Sequence, residues 1–229
     1  MTIKAPNCTA FCRLLPIVAN LLTNASSDFT PAYPKHRRVE PIGMSMSDSW
    51  PLIMIDCQVG FDDPIWGQRN NPHFEDNAQA ILAHWRSRNR KVIHVRHASL
   101  EPKSPLRAES PGFAFFDWAT PREGEIEIVK HVNSGFIGTS LEKTLRTDGH
   151  NGFIILGLTT NHCVSTTVRM GGNLGFDVHL VGDACATFPR AAMDGEMFDA
   201  DVVHRTALAS LHGEFCTVLS SEDVLVEGL

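Results

Sequence analysis

Three ionisable side chains of different chemistry stand at or just past the ends of apolar runs. Asp56 follows Leu52-Ile53-Met54-Ile55, Lys130 follows Ile126-Glu127-Ile128-Val129, and Cys163 comes soon after Phe153-Ile154-Ile155-Leu156. An acid, an amine and a thiol are the parts of a site for nucleophilic acyl transfer. Between that last run and Cys163 lies Gly157-Leu158-Thr159-Thr160-Asn161-His162, and a helix-like segment runs from Val164 to Leu174. Strand, tight turn and helix is the expected order, with the thiol in the first helical turn. The unpaired N–H groups there, together with a Lys130 ammonium, favour the thiolate. Asp56 is the group to take the thiol proton, pass it to a leaving amine and then activate water. The backbone N–H groups of Thr159 and Cys163 are the candidates for holding the negative oxygen formed when a carbonyl is attacked. For Cys163 taken alone, the competing reading is an inert cysteine buried in a βα turn.

The elements that must position these groups follow from periodicity. Runs at 52–55, 92–95, 126–129, 153–156, 177–181 and 215–219 read as strands, some apolar throughout and that at 126–129 alternating. Asn71-Pro72 reads as a cap and first helical residue, with Phe74, Ala78, Ile81, Leu82 and Trp85 on one helical face. Thr139-Ser140-Leu141-Glu142 fits a capping box ahead of Leu145, and Met197, Ala200, His204, Ala207, Leu208 and Leu211 form a further stripe. Strands separated by helices, several of them apolar throughout, predict a parallel sheet covered on both faces, a three-layer αβα sandwich. In such open sheets ligands bind beyond the carboxyl ends of the strands, where Asp56, Lys130 and Cys163 fall. Residues 101 to 124, rich in Pro, Glu and Gly, read as a long loop of the kind often found at sites.

Composition narrows the function classes. The chain has 229 residues, 43% of them apolar, enough for one full core, and a formal charge of −6 that offers nothing to nucleic acid or an anionic membrane. No apolar stretch approaches the ~20 residues of a membrane span. Cys8, Cys12, Cys57, Cys163, Cys185 and Cys216 follow neither a disulfide framework nor a zinc spacing. Reduced thiols and a cytoplasmic location are the expectation. Residues 1–47 differ from the rest: they hold five prolines and no acidic residue before Asp28. Organellar import by this leader is one reading. Because Pro16 would break its only amphipathic segment, an irregular extension or an over-called start ahead of Met44 or Met46 is favoured.

Taken in order, Asp56-Cys57-Gln58-Val59-Gly60-Phe61, Lys130 with Ser134-Gly135-Phe136, and Gly157-Leu158-Thr159-Thr160-Asn161-His162-Cys163-Val164 resemble the isochorismatase-like cysteine hydrolase superfamily. That group includes nicotinamidases, N-carbamoylsarcosine amidase and other small-amide hydrolases. The resemblance implies a hydrolase domain over 48–229 and a Rossmann-like sheet, mostly parallel and usually six-stranded. It also implies an Asp56–Lys130–Cys163 triad, a non-proline cis peptide just before Thr159, and a homodimer or homotetramer. Isochorismatases proper cleave a vinyl ether by protonation and typically lack the cysteine, so Cys163 favours acyl transfer on a small amide. The nicotinamidase metal site needs an Asp-x-His run that Asp62-Asp63-Pro64-Ile65-Trp66-Gly67-Gln68 lacks, so neither metal nor cofactor is expected.

Phe61, Trp66 and Phe136 are candidate pocket walls, with Asn70, Arg69 and His97 as polar candidates. For Asn70 and Arg69 the alternative is scaffolding of the helix that follows. A papain-like pairing of His162 with Cys163 is disfavoured, because adjacent residues entering a helix point in different directions. Cys57, Cys185 and Cys216 read as inert, and Gly171-Gly172 as a place where a helix packs closely on its neighbour. The competing functions are a non-catalytic small-molecule-binding or oligomeric scaffold member of the same fold, and vinyl-ether hydrolysis.

Overall fold

Runs without a polar residue cannot face water on either side, and the chain satisfies them by stacking them side by side. The computed structural model describes residues 50–226; the 1–47 leader, with Cys8 and Cys12, lies outside them. Within this span the strands are β1 (Leu52–Ile55), β2 (Val92–His97), β3 (Ile126–Lys130), β4 (Gly152–Leu158), β5 (Asp177–Ala186), β6 (Arg190–Ala191), β7 (Met197–Phe198) and β8 (Thr217–Leu219). The helices are α1 (Phe74–Ser87), α2 (Leu141–Thr147), α3 (Ser165–Asn173), α4 (Ala200–Leu211) and α5 (Ser221–Val226). Six strands form one sheet in the order β3-β2-β1-β4-β5-β8, every neighbouring pair parallel. β6 and β7 make a separate antiparallel hairpin. α1 packs with α5 and α3 with α4, giving the expected three-layer α/β architecture. Among the described residues no helix is long and apolar enough to cross a membrane.

The strand order places the site. The chain runs β1, β2, β3 outward in one direction, then returns to lay β4 on the free side of β1. The crevice beyond the carboxyl ends of β1 and β4 is the switch point of the sheet. β4 is buried at every position, and its pairing with β5 shifts register between Ile155 and Gly157. At that shift Gly157 has φ +128°, and a Cβ there would stand 2.0 Å from the Ile55 carbonyl oxygen. Only glycine lets β4 run this close to the end of β1. Gly171 acts similarly for α3, since a Cβ would meet the Phe153 ring at 2.7 Å.

Several boundaries differ from expectation. α1 begins at Phe74 rather than at Pro72, because Asn71 turns left-handed (φ 50°) and its Nδ2 donates to the carbonyls of Asp183 and Cys185 on β5. The capping box is replaced by a local turn in which Thr139 Oγ1 accepts from the Leu141 amide. Met197 belongs to the hairpin and not to the stripe of α4. β5 runs on to Ala186, five residues past the expected end at Val181.

Candidate active site

Asp56 leaves β1 in a left-handed conformation, φ 51°, with its amide donating to Val95 at 2.7 Å, and its side chain is fully buried. Lys130 ends β3, where its register partner on β2 is His97. From there the long side chain reaches past His97: Lys130 Nζ donates to Asp56 Oδ2 at 2.7 Å and to Cys163 Sγ at 3.1 Å, and lies 3.1 Å from His97 Nδ1. The three groups picked out at distant strand ends therefore meet around one ammonium. Asp56 Oδ1 has no hydrogen-bond partner.

Cys163 is not in the first turn of an α-helix. It sits in a π-helical turn, Thr160–Val164, that precedes α3, the kind of wide turn found often at functional sites. The Leu158–Thr159 peptide entering it is cis, as the resemblance implied. The amides of His162 and Val164, on either side of Cys163, both donate to the Thr159 carbonyl. The turn is tied down from α4, where His204 Nδ1 lies 2.8 Å from Thr160 Oγ1, both residues buried. The loop after Lys130 is tied to α3: the Gly135 amide donates to Thr167 Oγ1, which donates to the Cys163 carbonyl. Gln58 joins the exits of β1 and β2, donating to the His97 and Phe113 carbonyls and accepting from the His97 amide.

Electrostatics changes one expectation. Burial, and then the Asp56 carboxylate, push the Cys163 thiol well above its ordinary range, outweighing the opposing pull of Lys130. The resting sulfur is a thiol rather than a preformed thiolate. Burial works against the Lys130 ammonium, but Asp56 and the sulfur more than offset it and raise its pKa. Burial and the neighbouring ammonium lower that of His97, leaving a neutral ring whose Nδ1 accepts from Lys130. Ligand atoms of Asp56, His97 and Cys163 lie within 4.8 Å of one another, close enough to hold a metal ion. All three, however, are in contact with the ammonium of Lys130, which already supplies a cation at their centre.

A cavity of about 340 Å³ opens onto this cluster, lined by Thr159 and Cys163 and walled by Phe61 and Trp66. Phe61, Trp66 and Phe188 stack at centroid distances of 5.5–6.1 Å, and Trp66 Nε1 donates to the Gly60 carbonyl. Three of the expected lining residues, Phe136, Asn70 and Arg69, are elsewhere. Phe136 is buried against Phe153 and Phe176 in the core, at 6.1 and 5.9 Å. Asn70 is structural, pairing through its backbone and its side chain with Thr187. Arg69 pairs with Glu75 and lies over the Phe74 ring, so it braces α1. Cys57 and Cys185 are buried, and burial raises both thiols.

The cavity also has polar residues that were not among the expected lining: Asn133, whose Oδ1 is 3.7 Å from Cys163 Sγ, Arg190 from β6, and His162 beside it. His162 belongs to the Gly157–Val164 motif, Asn133 had only its closeness in sequence to Lys130, and Arg190 had no prior signal.

Comparison with known proteins gives a consistent picture. YrdC, an isochorismatase family protein of Bacillus subtilis, is 43% identical over 180 residues, covering 79% of this chain and 96% of its own. The crystal structure of an isochorismatase-family hydrolase from Chromobacterium violaceum superposes with a TM-score of 0.77 at 45% identity, covering 80% of this chain and 95% of that one. The ureidoacrylate amidohydrolase RutB of Methylobacterium radiotolerans is 31% identical over 153 residues, covering 66% of this chain and 55% of its own. The isochorismatase domain itself matches residues 51–223, from the entry into β1 to within α5. With that domain matched over residues 51–223 and relatives of 43–45% identity covered over nearly their whole length, the chain belongs to the isochorismatase family of hydrolases.

Proposed function

We propose that this chain is a cysteine hydrolase that cleaves the C–N bond of a small amide through a thioester at Cys163. The observation that carries the reading is the contact of one buried ammonium, Lys130, with both the Asp56 carboxylate and the Cys163 sulfur at the floor of the cavity. The amidohydrolase activity in the name of the relative RutB supports the choice of bond.

In this mechanism the thiol is not ionised in advance. Asp56 takes its proton as the sulfur attacks the carbonyl carbon, and Lys130 stabilises the negative charge on sulfur as it appears. The amides of Thr159 and Cys163 hold the oxyanion. Collapse expels the amine, which takes the proton from Asp56 and leaves a thioester. Asp56 then removes a proton from water as that water attacks the thioester, and returns it to the departing Cys163 sulfur. His97 stays neutral and helps to orient the Lys130 ammonium. Phe61 and Trp66 exclude water and flank a planar substrate.

A screen of ammonia release over primary carboxamides and ureido compounds, with ring opening of lactams followed by chromatography, tests the reading. Turnover of at least one of them is expected, and Cys163→Ala and Asp56→Asn are expected to lose it. Vinyl-ether hydrolysis needs only protonation, so full turnover of any substrate by Cys163→Ala would reject the thioester and favour that chemistry.

A further inference from the structure

Arg190 brings a positive charge to the cavity, whose lining also holds one further cation, Lys103, and one carboxylate, Glu101. Its Nη2 lies 3.3 Å from His162 Nδ1, and its Nε is buried without a hydrogen-bond partner. Among the described residues no carboxylate pairs with it. His162 cannot supply the missing charge, because an imidazole is neutral or cationic; its Nδ1 accepts from Arg190 Nη2. Glu101, which also lines the cavity, is exposed to solvent and makes no ion pair with Arg190. A partly buried guanidinium remains charged, and withdrawing it from water without a counter-charge is unfavourable. Such a residue is retained where a ligand brings the anion, and the planar fork of arginine matches a carboxylate through two parallel hydrogen bonds.

Arg190 and Cys163 line the same cavity, with the Phe61 and Trp66 rings also in its wall. We propose that Arg190 is the specificity-determining residue of this site and binds a carboxylate of the substrate, so that the substrates are small amides carrying a carboxylate. The inference rests on the amidase reading for the reacting end of the molecule. Its own content, anion recognition by Arg190, can be tested apart from that reading.

The experiment compares alkylation of Cys163 by iodoacetate, which carries a carboxylate, with alkylation by its neutral isostere iodoacetamide. Each rate is divided by that of the same reagent with glutathione. In the full-length protein the expected preference for iodoacetate is at least tenfold, falling towards one in Arg190→Gln and largely kept in Arg190→Lys. An unchanged preference in Arg190→Gln, or none in the wild type, overturns the assignment. If neither reagent labels Cys163, the sulfur is held as its resting thiol. Anion recognition is then decided by calorimetric titration of the Cys163→Ala protein with succinamate and with its methyl ester. Succinamate binding at least tenfold more tightly, with the margin abolished by Arg190→Gln, upholds the role of Arg190. Equal affinities, or binding of neither compound, overturn it.

Discussion

Lys130 donates to Asp56 across 2.7 Å with both side chains fully buried, and the two residues lie 74 positions apart in the chain. A buried ion pair of this kind adds little net stability while intact, but is costly to break from one side. Lys130→Met leaves the Asp56 charge buried and unmatched, and a loss of about 3–5 kcal/mol is expected in urea unfolding. Adding Asp56→Asn to it should recover a large part of that loss, which a merely steric role for the lysine would not allow. The pair also sets an alkaline limit. Because the folded pKa of Lys130 is raised from 10.5, its stabilisation is complete below that pH and is lost as the pH climbs towards the folded value. Thermal midpoints measured from pH 8 upward should fall above about pH 10.5 in the wild type. The double variant should show less of that fall.

The thiol and the carboxylate beside it lead to a prediction in which two readouts part company. Asp56 raises the pKa of Cys163 while Lys130 lowers it. Asp56→Asn removes the opposing charge and keeps the cation, so at neutral pH the thiolate share rises and iodoacetamide labelling of Cys163 speeds up. The same change removes the base, and turnover should drop by a factor on the order of 10²–10⁴. If labelling and turnover fell together, Asp56 would be acting through structure alone.

Away from the site, Glu125 sets the acid side of stability. It accepts from Arg86 at 2.7 and 2.8 Å and from the Arg122 amide at 2.8 Å, and it lies 2.8 Å from His94 Nε2. Burial works to raise its pKa, but these donors together hold it down at about 2. The resulting stabilisation is present above the ordinary value of 4.5 and is lost as the pH falls from there towards about 2. Glu125→Gln should therefore be less stable than the wild type at pH 6, with the gap closing as the pH drops to about 2–3. Chemical denaturation at a series of pH values measures this, and a gap independent of pH would rule out the charge as its source.

What was legible in the sequence follows from what a sequence encodes locally. Asp56 ends an apolar run, Lys130 an alternating one, and Cys163 soon follows a third; an open parallel sheet brings its strand ends to one rim, so their convergence could be reasoned out before any coordinates. The protonation state of the sulfur could not, because it depends on how deeply the group is buried and how close Asp56 stands. Arg190 was illegible for a different reason. It sits on a two-residue strand, too short to show alternation, and lines the cavity 27 residues after Cys163 with no motif around it. The start of α1 was misplaced because Asn71 spends its side chain on β5, a tertiary bond that a local capping pattern cannot foresee.

Phe136 is the most instructive misplacement, because motif and geometry disagree and an experiment can separate them. It follows Lys130 closely, which suggests a pocket wall, yet its ring stacks on Phe176 and packs at a tilt against Phe153 in the core. Trp66 has the opposite character, half-buried and facing the cavity. Truncating a core aromatic to alanine costs about 3–5 kcal/mol, and replacing it by leucine costs a smaller share, since part of the volume is kept. Phe136→Leu should therefore lower the unfolding midpoint while leaving KM for the best amide in the screen within twofold of the wild type. Trp66→Ala should do the reverse, raising KM by tenfold or more with little change in stability. Its indole removes apolar surface of the substrate from water, and its loss opens the wall to solvent. Steady-state kinetics and urea unfolding on both variants test this. A KM effect for Phe136→Leu that matches the one for Trp66→Ala would return the phenylalanine to the pocket.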